Sequence, residues 1–337
     1  MSPMRARLVG RRGIAGVLAG GLMVSLAGCG DSSSSGTGEP ETVVDDVDLS
    51  GVEISVGSKD FTEQLILGQI TIQVLQAAGA TVEDRTGAGS TRAVRESLEA
   101  GATDMYWEYT GTGWLEILGH QQPVAGAQAQ YDSVAEEDLQ ANGIRWLPPA
   151  PADNTYAIAV SEQAPSDGAG GVATLSDFGA LVQQSPELAT LCVASEFVER
   201  SDGLPGLEQA YGFGVPPDNL VTVDQEGLVY AAINQGQACA FGEVFRTDGR
   251  IASLDLRLLE DDKGFFPVYN PALTVRAELV DQYPELEAIF AEIASTLDAE
   301  TLRELNTSVD VDDRPVRDVA QEFLQDEELL SPQQLNK

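Results

Sequence analysis

Seven polar and aromatic side chains lie at the predicted ends of strands or in the loops beside them. They are Lys59, Tyr109, Thr112, Tyr156, Arg200, Phe245 and Tyr269. In open α/β folds, ligands bind in the crevice at the carboxyl ends of the strands, so these residues are candidates for one small-molecule site. Each also has a structural interpretation, since rings commonly pack in cores. Lys59 could be an exposed loop residue, and Arg200 could pair with Glu196 or Glu199.

One of the candidates lies in an unusually aromatic segment. Aromatic residues make up 6% of the protein, yet four of them fall within nine positions. They are Tyr106, Trp107, Tyr109 and Trp114. Gly111 and Gly113 lie among them and allow close approach of the backbone to a neighbour or a ligand. Composition alone does not decide between packing and ligand contact.

The familiar enzyme motifs are missing from the sequence. It has neither the G-x-x-x-x-G-K-[ST] motif of P-loop ATPases nor a G-x-S-x-G nucleophile motif. The only histidine, His120, disfavours a Ser–His or Cys–His catalytic pair and a zinc site. Residues 86–90 match a glycine loop only weakly and are typical of a turn. We therefore expect no enzymatic activity, no cofactor and no metal.

The elements that must position the candidate residues alternate between strand and helix. In the first part of the chain, the pattern predicts strands at 52–57 and 81–84 and helices at 61–78 and 91–100. Asp60 and Glu63 have the spacing of a capping box at the start of the first helix. Such alternation predicts an α/β domain with a largely parallel sheet.

A second α/β unit is predicted after a helix at 127–141, a strand at 144–147 and a proline-rich turn at 148–151. Its predicted strands are 156–160, 189–194, 220–223 and 238–241, and its helices are 174–184 and 226–234. Residues 258–275 are expected to return to the first unit. Three helices, at 284–297, 299–305 and 316–329, are predicted to close the chain.

The N-terminal region has the pattern of an export signal. Four arginines precede an apolar stretch at 14–26, and LAGC at 26–29 resembles the bacterial lipobox. Residues 1–28 are therefore predicted to be a lipoprotein signal peptide, with Cys29 as the lipidated residue. An ordinary cleaved signal is the alternative. Residues 29–50, rich in Ser, Gly and acidic residues, are predicted to form a disordered tether.

The predicted export signal affects both the net charge of the mature protein and the expected state of its two remaining internal cysteines. The net charge is −35, and removal of residues 1–28, with four Arg and no acid, would make it −39. So acidic a body disfavours nucleic acid and anionic lipid as partners. Cys192 and Cys239 lie in apolar segments, and an oxidising location would favour a disulfide between them. Two free buried thiols are the alternative.

Several motifs, in one order, resemble those of the glycine betaine/choline/proline-type substrate-binding proteins of ABC importers. They are SKDFTEQLILG (58–68), EYTGT (108–112), NTY (154–156), EFVERSDGLPG (196–206), TDGRI (247–251) and EDDKGFFP (260–267). The resemblance covers nearly all of residues 52–330. It implies a fold like that of the type II periplasmic binding proteins, with two α/β lobes and a ligand cleft. The implied lobes are residues 51–153 with 263–337, and residues 154–262.

The resemblance also implies roles for the candidate residues. A methylated ammonium has no N–H to donate, and a box of aromatic ring faces recognises it instead. The box here would be Tyr109, Tyr156, Phe245 and Tyr269. By the same resemblance, Lys59, Arg200 and Thr112 would hold the carboxylate end of the ligand. Phe245 departs from the family, where many relatives carry Tyr, and Arg246 replaces a small residue.

The expected function is capture of a betaine for an importer. Glycine betaine or proline betaine is expected to be the ligand, and an ABC permease and its ATPase the partners. Choline, carnitine or another small molecule on the same fold is the alternative, followed by a purely structural or adhesive lipoprotein. We expect a monomer that is anchored through Cys29 to the outer face of the bacterial cytoplasmic membrane.

Overall fold

The structure is a computed structural model, and it describes residues 41–164, 168–236 and 238–335. The predicted signal peptide, Cys29 and residues 29–40 of the predicted tether lie outside the described residues. The prediction of a disordered tether is wrong for residues 41–50, because Val44 and Leu49 are buried in the core of the first lobe. Among the described residues, no helix combines the length and the apolar character that crossing a membrane requires.

The strands of the described residues form two sheets of five strands each. They are β1 (Glu53–Gly57), β2 (Thr81–Arg85), β3 (Met105–Tyr109), β4 (Ile144–Trp146), β5 (Tyr156–Ser161), β6 (Leu191–Ala194), β7 (Leu220–Val223), β8 (Phe241–Phe245), β9 (Leu256–Leu258) and β10 (Pro271–Arg276). The first sheet has the order β2-β1-β3-β10-β4, and the second has the order β7-β6-β8-β5-β9. We call each sheet with the helices that pack on it a lobe.

Thirteen helices are found in the same part of the chain. They are α1 (Thr62–Ala77), α2 (Thr91–Glu99), α3 (Thr110–Thr112), α4 (Ala127–Asn142), α5 (Leu175–Gln184), α6 (Ser195–Glu199), α7 (Leu204–Tyr211), α8 (Glu226–Gln235), α9 (Arg250–Ser253), α10 (Ala277–Gln282), α11 (Glu285–Thr296), α12 (Ala299–Asp310) and α13 (Val316–Asp326). A π-helical turn at Gly113–Ile117 follows α3, and short 3₁₀ turns lie at Ala169–Gly171, Pro186–Leu188 and Pro217–Asn219. α12 and α13 pack against α1 and complete the core of the first lobe.

Both sheets are mixed, so the prediction of a largely parallel sheet is only partly correct. β1 is parallel to β2 and β3, and β6 is parallel to β7 and β8. However, β10 runs antiparallel between β3 and β4, and β5 runs antiparallel between β8 and β9. β5 and β10 are the strands that follow the two connections between the lobes. Each connection brings the chain into its sheet at the end where the neighbouring strand finishes, so β5 runs antiparallel to β8 and β10 runs antiparallel to β3.

Four strands differ from the sequence expectation, which placed no strand at β3, β9 or β10 and a shifted one at β8. β3 was not predicted, because all five of its residues are buried and a strand covered on both faces shows no alternation. The strand predicted at 238–241 instead spans Phe241–Phe245, so that Cys239 precedes it and Phe245 ends it. The shift matters because it makes Phe245 the last residue of β8, directly opposite Tyr156, the first residue of β5.

The start of α1 also differs, and the predicted capping box is wrong. Phe61 occupies the N-cap position, and no side chain caps the helix. Glu63 is buried and turns its carboxylate toward donors on other elements instead of toward its own helix end. A long-range hydrogen-bond network has therefore replaced the local one.

The two connections between the lobes lie side by side. One runs from β4 to β5 and the other from β9 to β10, and the Asn154 amide donates to the Tyr269 carbonyl at 3.1 Å. Asn270 also donates from its side chain to the carbonyl of Ala152, at 2.7 Å. We keep the lobe boundaries at 153/154 and 262/263 as a proposal; both positions lie within these connections.

In the structure a disulfide joins Cys192 in β6 to Cys239, which precedes β8. The Cα atoms are 5.6 Å apart, and the bond closes a loop across 47 residues of sequence separation. Both residues are fully buried within the second lobe. The bond therefore links the start of β8 to its parallel neighbour.

We predict that replacing both cysteines, as Cys192→Ala with Cys239→Ala, lowers the free energy of unfolding by about 2–4 kcal/mol, because the unfolded chain regains the freedom of the closed loop. Urea denaturation would measure the change. A reductant should destabilise the native protein similarly and leave the double variant unaffected. Equal stability of native and variant protein would contradict the prediction.

Candidate functional site

All seven residues predicted from the sequence line one cavity of about 370 Å³. The first lobe contributes Lys59, Tyr109 and Thr112, and the second lobe contributes Tyr156, Arg200 and Phe245. Tyr269 lies in the connection that returns the chain from the second lobe to the first. A ligand in this cavity would contact both lobes and the connection between them.

Strand ends position most of the aromatic walls. Tyr109 is the last residue of β3, Tyr156 is the first of β5, and Phe245 is the last of β8. Tyr156 and Phe245 are direct partners in the antiparallel register of β5 and β8. Their rings therefore lie side by side, with centroids 5.1 Å apart.

The rings form a continuous series around the cavity, and the sequence analysis missed one of them. Tyr156 lies 5.5 Å from Tyr269, in an edge-on arrangement. Phe61 stacks on Phe245 at 5.2 Å and on Tyr109 at 6.2 Å, and so joins the walls from the two lobes. The sequence analysis placed Phe61 at the start of the helix predicted at 61–78, whereas it is the N-cap residue of α1. The sequence feature that could have identified Phe61 as a cavity residue is its position two residues after Lys59, before the helix begins.

Arg200 is buried and its charge is matched by acidic neighbours. Its guanidinium donates to both oxygens of Asp202, at 2.8 and 2.5 Å, and to Glu196 at 3.0 Å. Burial acts to raise the pKa of Asp202, but the charge and hydrogen bonds of Arg200 outweigh it and hold that pKa below its usual value. Of the two acidic partners suggested by the sequence, only Glu196 is used, and Asp202 was not anticipated.

The same guanidinium connects several parts of the cavity. It donates to the hydroxyl of Thr112, in the other lobe, at 3.3 Å. Its central carbon lies 5.6 Å from the centroid of the Tyr156 ring. One N–H on Nη1 has no partner among the described residues, so a ligand acceptor could still be bound there.

Lys59 is the second buried cation, and it too is paired. Its Nζ lies 2.7 Å from Glu108 Oε1 and 5.2 Å from the centroid of the Tyr109 ring. Glu108 also accepts from the Tyr106 hydroxyl at 3.0 Å and from the Tyr109 amide at 2.8 Å. An ammonium has three donors, so Lys59 can serve Glu108 and a ligand together.

Two of the wall tyrosines donate their hydroxyls to carboxylates behind the rings. Tyr109 donates to Glu63 at 2.8 Å, and Tyr269 donates to Asp202 at 2.7 Å. Burial, with the charges of these carboxylates, raises the pKa of both phenols well above the usual value. Both phenols are therefore neutral, and the hydrogen bonds to Glu63 and Asp202 fix the orientation of the two rings.

A further acidic wall of the cavity was not predicted. It comprises Asp224 and Glu226. Glu243 lies deeper in the second lobe, is fully buried and does not line the cavity. Burial and repulsion from Glu243 raise the pKa of Glu226 well above its usual value. Burial likewise raises the pKa of Glu243 to about 7. At neutral pH this pair of carboxyl groups therefore retains a proton and carries less than its formal charge.

The remaining sequence candidates lie away from the cavity. Trp107 is buried in the first lobe and donates to the Thr71 hydroxyl at 2.9 Å. Trp114 stacks on His120 with centroids 3.5 Å apart. Arg246 is exposed and does not line the cavity, so it is not one of the charges that a ligand there would contact.

We predict that Asp202→Asn lowers the free energy of unfolding by about 3–5 kcal/mol, because it leaves the buried Arg200 with only the more exposed Glu196 as a charge partner. Chemical denaturation would measure this. Glu199→Gln, at an exposed neighbouring position, is the matched control and should change stability by less than about 0.5 kcal/mol. A variant at position 202 as stable as the native protein would show that the pair is dispensable.

Comparison with known proteins agrees with this architecture. Residues 52–326 match the family described as the substrate binding domain of ABC-type glycine betaine transport systems. The chain is 39% identical over 280 residues to the glycine-betaine-binding protein of Pseudomonas aeruginosa, an alignment that covers 82% of this chain and 88% of that protein. It is 34% identical over 275 residues to the glycine betaine-binding protein YehZ of Escherichia coli, covering 80% and 89%.

A third relative and a solved structure extend the comparison. The ergothioneine transport permease/ergothioneine binding protein EgtU of Helicobacter pylori is 31% identical over 271 residues, which cover 80% of this chain and 47% of that protein. The structure of apo YehZ from Escherichia coli superposes with a TM-score of 0.60 at 33% identity, covering 82% of this chain and 99% of that one.

These comparisons confirm the expected fold, two α/β lobes of the type II periplasmic-binding-protein kind. They also confirm that the relatives are transport proteins and not enzymes. The chain belongs to the family of substrate-binding domains of ABC-type glycine betaine transport systems.

Proposed function

We propose that this protein is the extracytoplasmic binding protein of an ABC importer and captures a quaternary-ammonium osmoprotectant, with glycine betaine or proline betaine preferred. The observation that carries the proposal is a single cavity in which five aromatic rings meet two buried cations. The rings suit one end of a betaine and the cations suit the other.

The ammonium end is assigned to the rings. A methylated ammonium spreads its charge over methyl groups and offers no N–H, so ring faces recognise it better than hydrogen-bond acceptors do. Tyr109, Tyr156, Phe245 and Tyr269 would surround it, together with Phe61. Phe245 preserves the ring face that a tyrosine would offer, and so its missing hydroxyl leaves this part of the role intact.

The carboxylate end is assigned to Lys59, Arg200 and Thr112. Each cation retains donors beyond those used by its acidic partner, and Thr112 supplies a hydroxyl 3.3 Å from Arg200. The N-terminus of α1 begins three residues after Lys59 and favours an anion nearby. A ligand held by Lys59 from one lobe and Arg200 from the other would stabilise the closed arrangement of the lobes.

The functions of the relatives support this proposal. Those of Pseudomonas aeruginosa and Escherichia coli are glycine betaine-binding proteins. In the Helicobacter pylori relative a permease and a binding protein carry one name, which supports a permease as the partner here. The corresponding ATPase would energise transport.

The N-terminal pattern supplies the location in this proposal. Export would place the protein outside the cytoplasm, and a lipid on Cys29 would hold it at the outer face of the cytoplasmic membrane. Residues 29–40 would act as the tether, since residues 41–50 pack on the first lobe. A polar chain of this kind lets the lobes reach a permease without fixing their orientation.

A larger betaine is the second candidate. The acidic wall at Asp224 and Glu226 lies in the same cavity as the rings, and it would be free to contact a polar substituent that glycine betaine lacks. The ergothioneine-binding relative and a carnitine-binding relative at 27% identity favour this alternative over choline.

Calorimetric titration tests the proposal directly. We predict that glycine betaine binds at least about tenfold more tightly than choline, because choline has no carboxylate to pair with Lys59 and Arg200. Tighter binding of choline would remove those two roles and retain the rings. Binding of neither, nor of carnitine or ergothioneine, would contradict the proposed function.

A second prediction concerns Phe61, whose ring joins the walls of the two lobes. Phe61→Leu keeps an apolar side chain and removes the ring face, so we expect betaine affinity to fall about fivefold, corresponding to ~1 kcal/mol. Phe61→Tyr is the matched control and should retain near-native affinity. Unchanged affinity in the leucine variant, measured by the same titration, would exclude Phe61 from the site.

A further inference from the structure

Glu63 is a buried carboxylate behind the aromatic walls. It is the second residue of α1 and is 3% exposed. It does not line the main cavity but lines a small second cavity, of about 10 Å³, together with Phe61 and Phe245. Its charge therefore lies on the far side of the rings from the proposed ligand.

Four donors from separate elements converge on its two oxygens. They are Tyr109 Oη at 2.8 Å, Asn154 Nδ2 at 2.9 Å, Thr247 Oγ1 at 2.6 Å and Asn306 Nδ2 at 3.1 Å. Tyr109 is a wall residue of the first lobe, and Thr247 follows the wall residue Phe245 of the second lobe by two positions. Glu63 thereby positions walls that come from both sheets.

The hydrogen bonds suit an ionised carboxylate. Both asparagines direct their NH₂ groups at Glu63, and their own buried carbonyl oxygens have no partner within the described residues. Burial and, to a smaller extent, the charge of Asp248 raise the pKa of Glu63 above its usual value, and the hydrogen bonds from Thr247, Tyr109 and Asn306 offset only part of that rise. The donor set is one that stabilises a negative charge.

No cation neutralises that charge in the part of the chain that the structure describes. Arg250, the nearest basic side chain of the second cavity, pairs with Asp248 and lies 3.4 Å from Asp310. The contrast is with Asp202, which likewise accepts from a wall tyrosine but is paired with Arg200. Of the two carboxylates that hold wall tyrosines, only Glu63 therefore has a field that is not cancelled by a partner.

We propose that Glu63 is the counter-charge of the binding cavity: it fixes the Tyr109 ring through its hydroxyl and attracts the ligand's ammonium from behind the rings. A phenol that donates to a carboxylate has a more electron-rich ring, which strengthens its attraction for a cation. In a water-poor interior the charge itself also acts over longer distances. This role rests on the proposed function, since it requires a quaternary ammonium among the rings.

The experiment compares a charged ligand with an uncharged analogue of the same shape. Glycine betaine and 3,3-dimethylbutanoate share a carboxylate and a branched head, but only betaine has the positive charge. In Glu63→Gln we expect betaine affinity to fall about tenfold or more and the affinity of the analogue to change less than about twofold. Titration calorimetry, with competition for the weaker ligand, would measure both.

Two controls separate charge from structure. Thr247→Val removes one donor from Glu63 but leaves the carboxylate, so it should change the ratio of the two affinities less than Glu63→Gln does. Glu292→Gln, at an exposed position on α11, removes one surface charge and should change neither affinity. If Glu63→Gln does not fold, Tyr109→Phe uncouples the ring from the carboxylate and should lower the ratio.

The outcomes are distinct. Equal losses for both ligands in Glu63→Gln, or no loss for betaine, would overturn the counter-charge role while leaving the proposed function intact. Failure of the native protein to bind any quaternary ammonium would overturn the proposed function and this role with it.

Discussion

The cavity depends on the buried pair formed by Arg200 and Asp202. The guanidinium reaches Thr112 in the other lobe and lies over the Tyr156 ring, while the carboxylate holds the Tyr269 hydroxyl. A cation buried without a partner would be strongly destabilising, so the acidic partner is what allows a positive charge to stand beside aromatic walls. The pair thus organises side chains from both lobes and from the connection between them.

Binding of a cation by aromatic rings also requires that the charged groups near the rings be paired with groups of opposite charge. Lys59 and Arg200 are each paired with a carboxylate, and both line the cavity. The Glu226–Glu243 pair is made less negative by its retained proton. These pairings let positive groups serve a carboxylate at one end without repelling an ammonium at the other.

The mixed topology of the sheets places these groups together. Antiparallel β10 in the first sheet and antiparallel β5 in the second are each preceded by a connection between lobes. Because of this, the start of β5 meets the end of β8, and the rings of Tyr156 and Phe245 become neighbours. The order of elements along the chain had predicted the units but not the inserted antiparallel strands.

The sequence by itself determined the α/β class, most helices and strands, the family, and seven of the residues that line the cavity. These depend on local periodicity, turn residues and contiguous motifs, all of which are present in a linear chain. Only the tertiary structure decided the charge partners, which are Asp202 for Arg200 and Glu108 for Lys59. It also added Phe61 to the aromatic walls. Glu63 is the clearest case, since its spacing predicted a helix cap, whereas its four actual donors include residues as much as 243 positions away. Such contacts have no local signature, because they are selected by which surfaces the fold brings together.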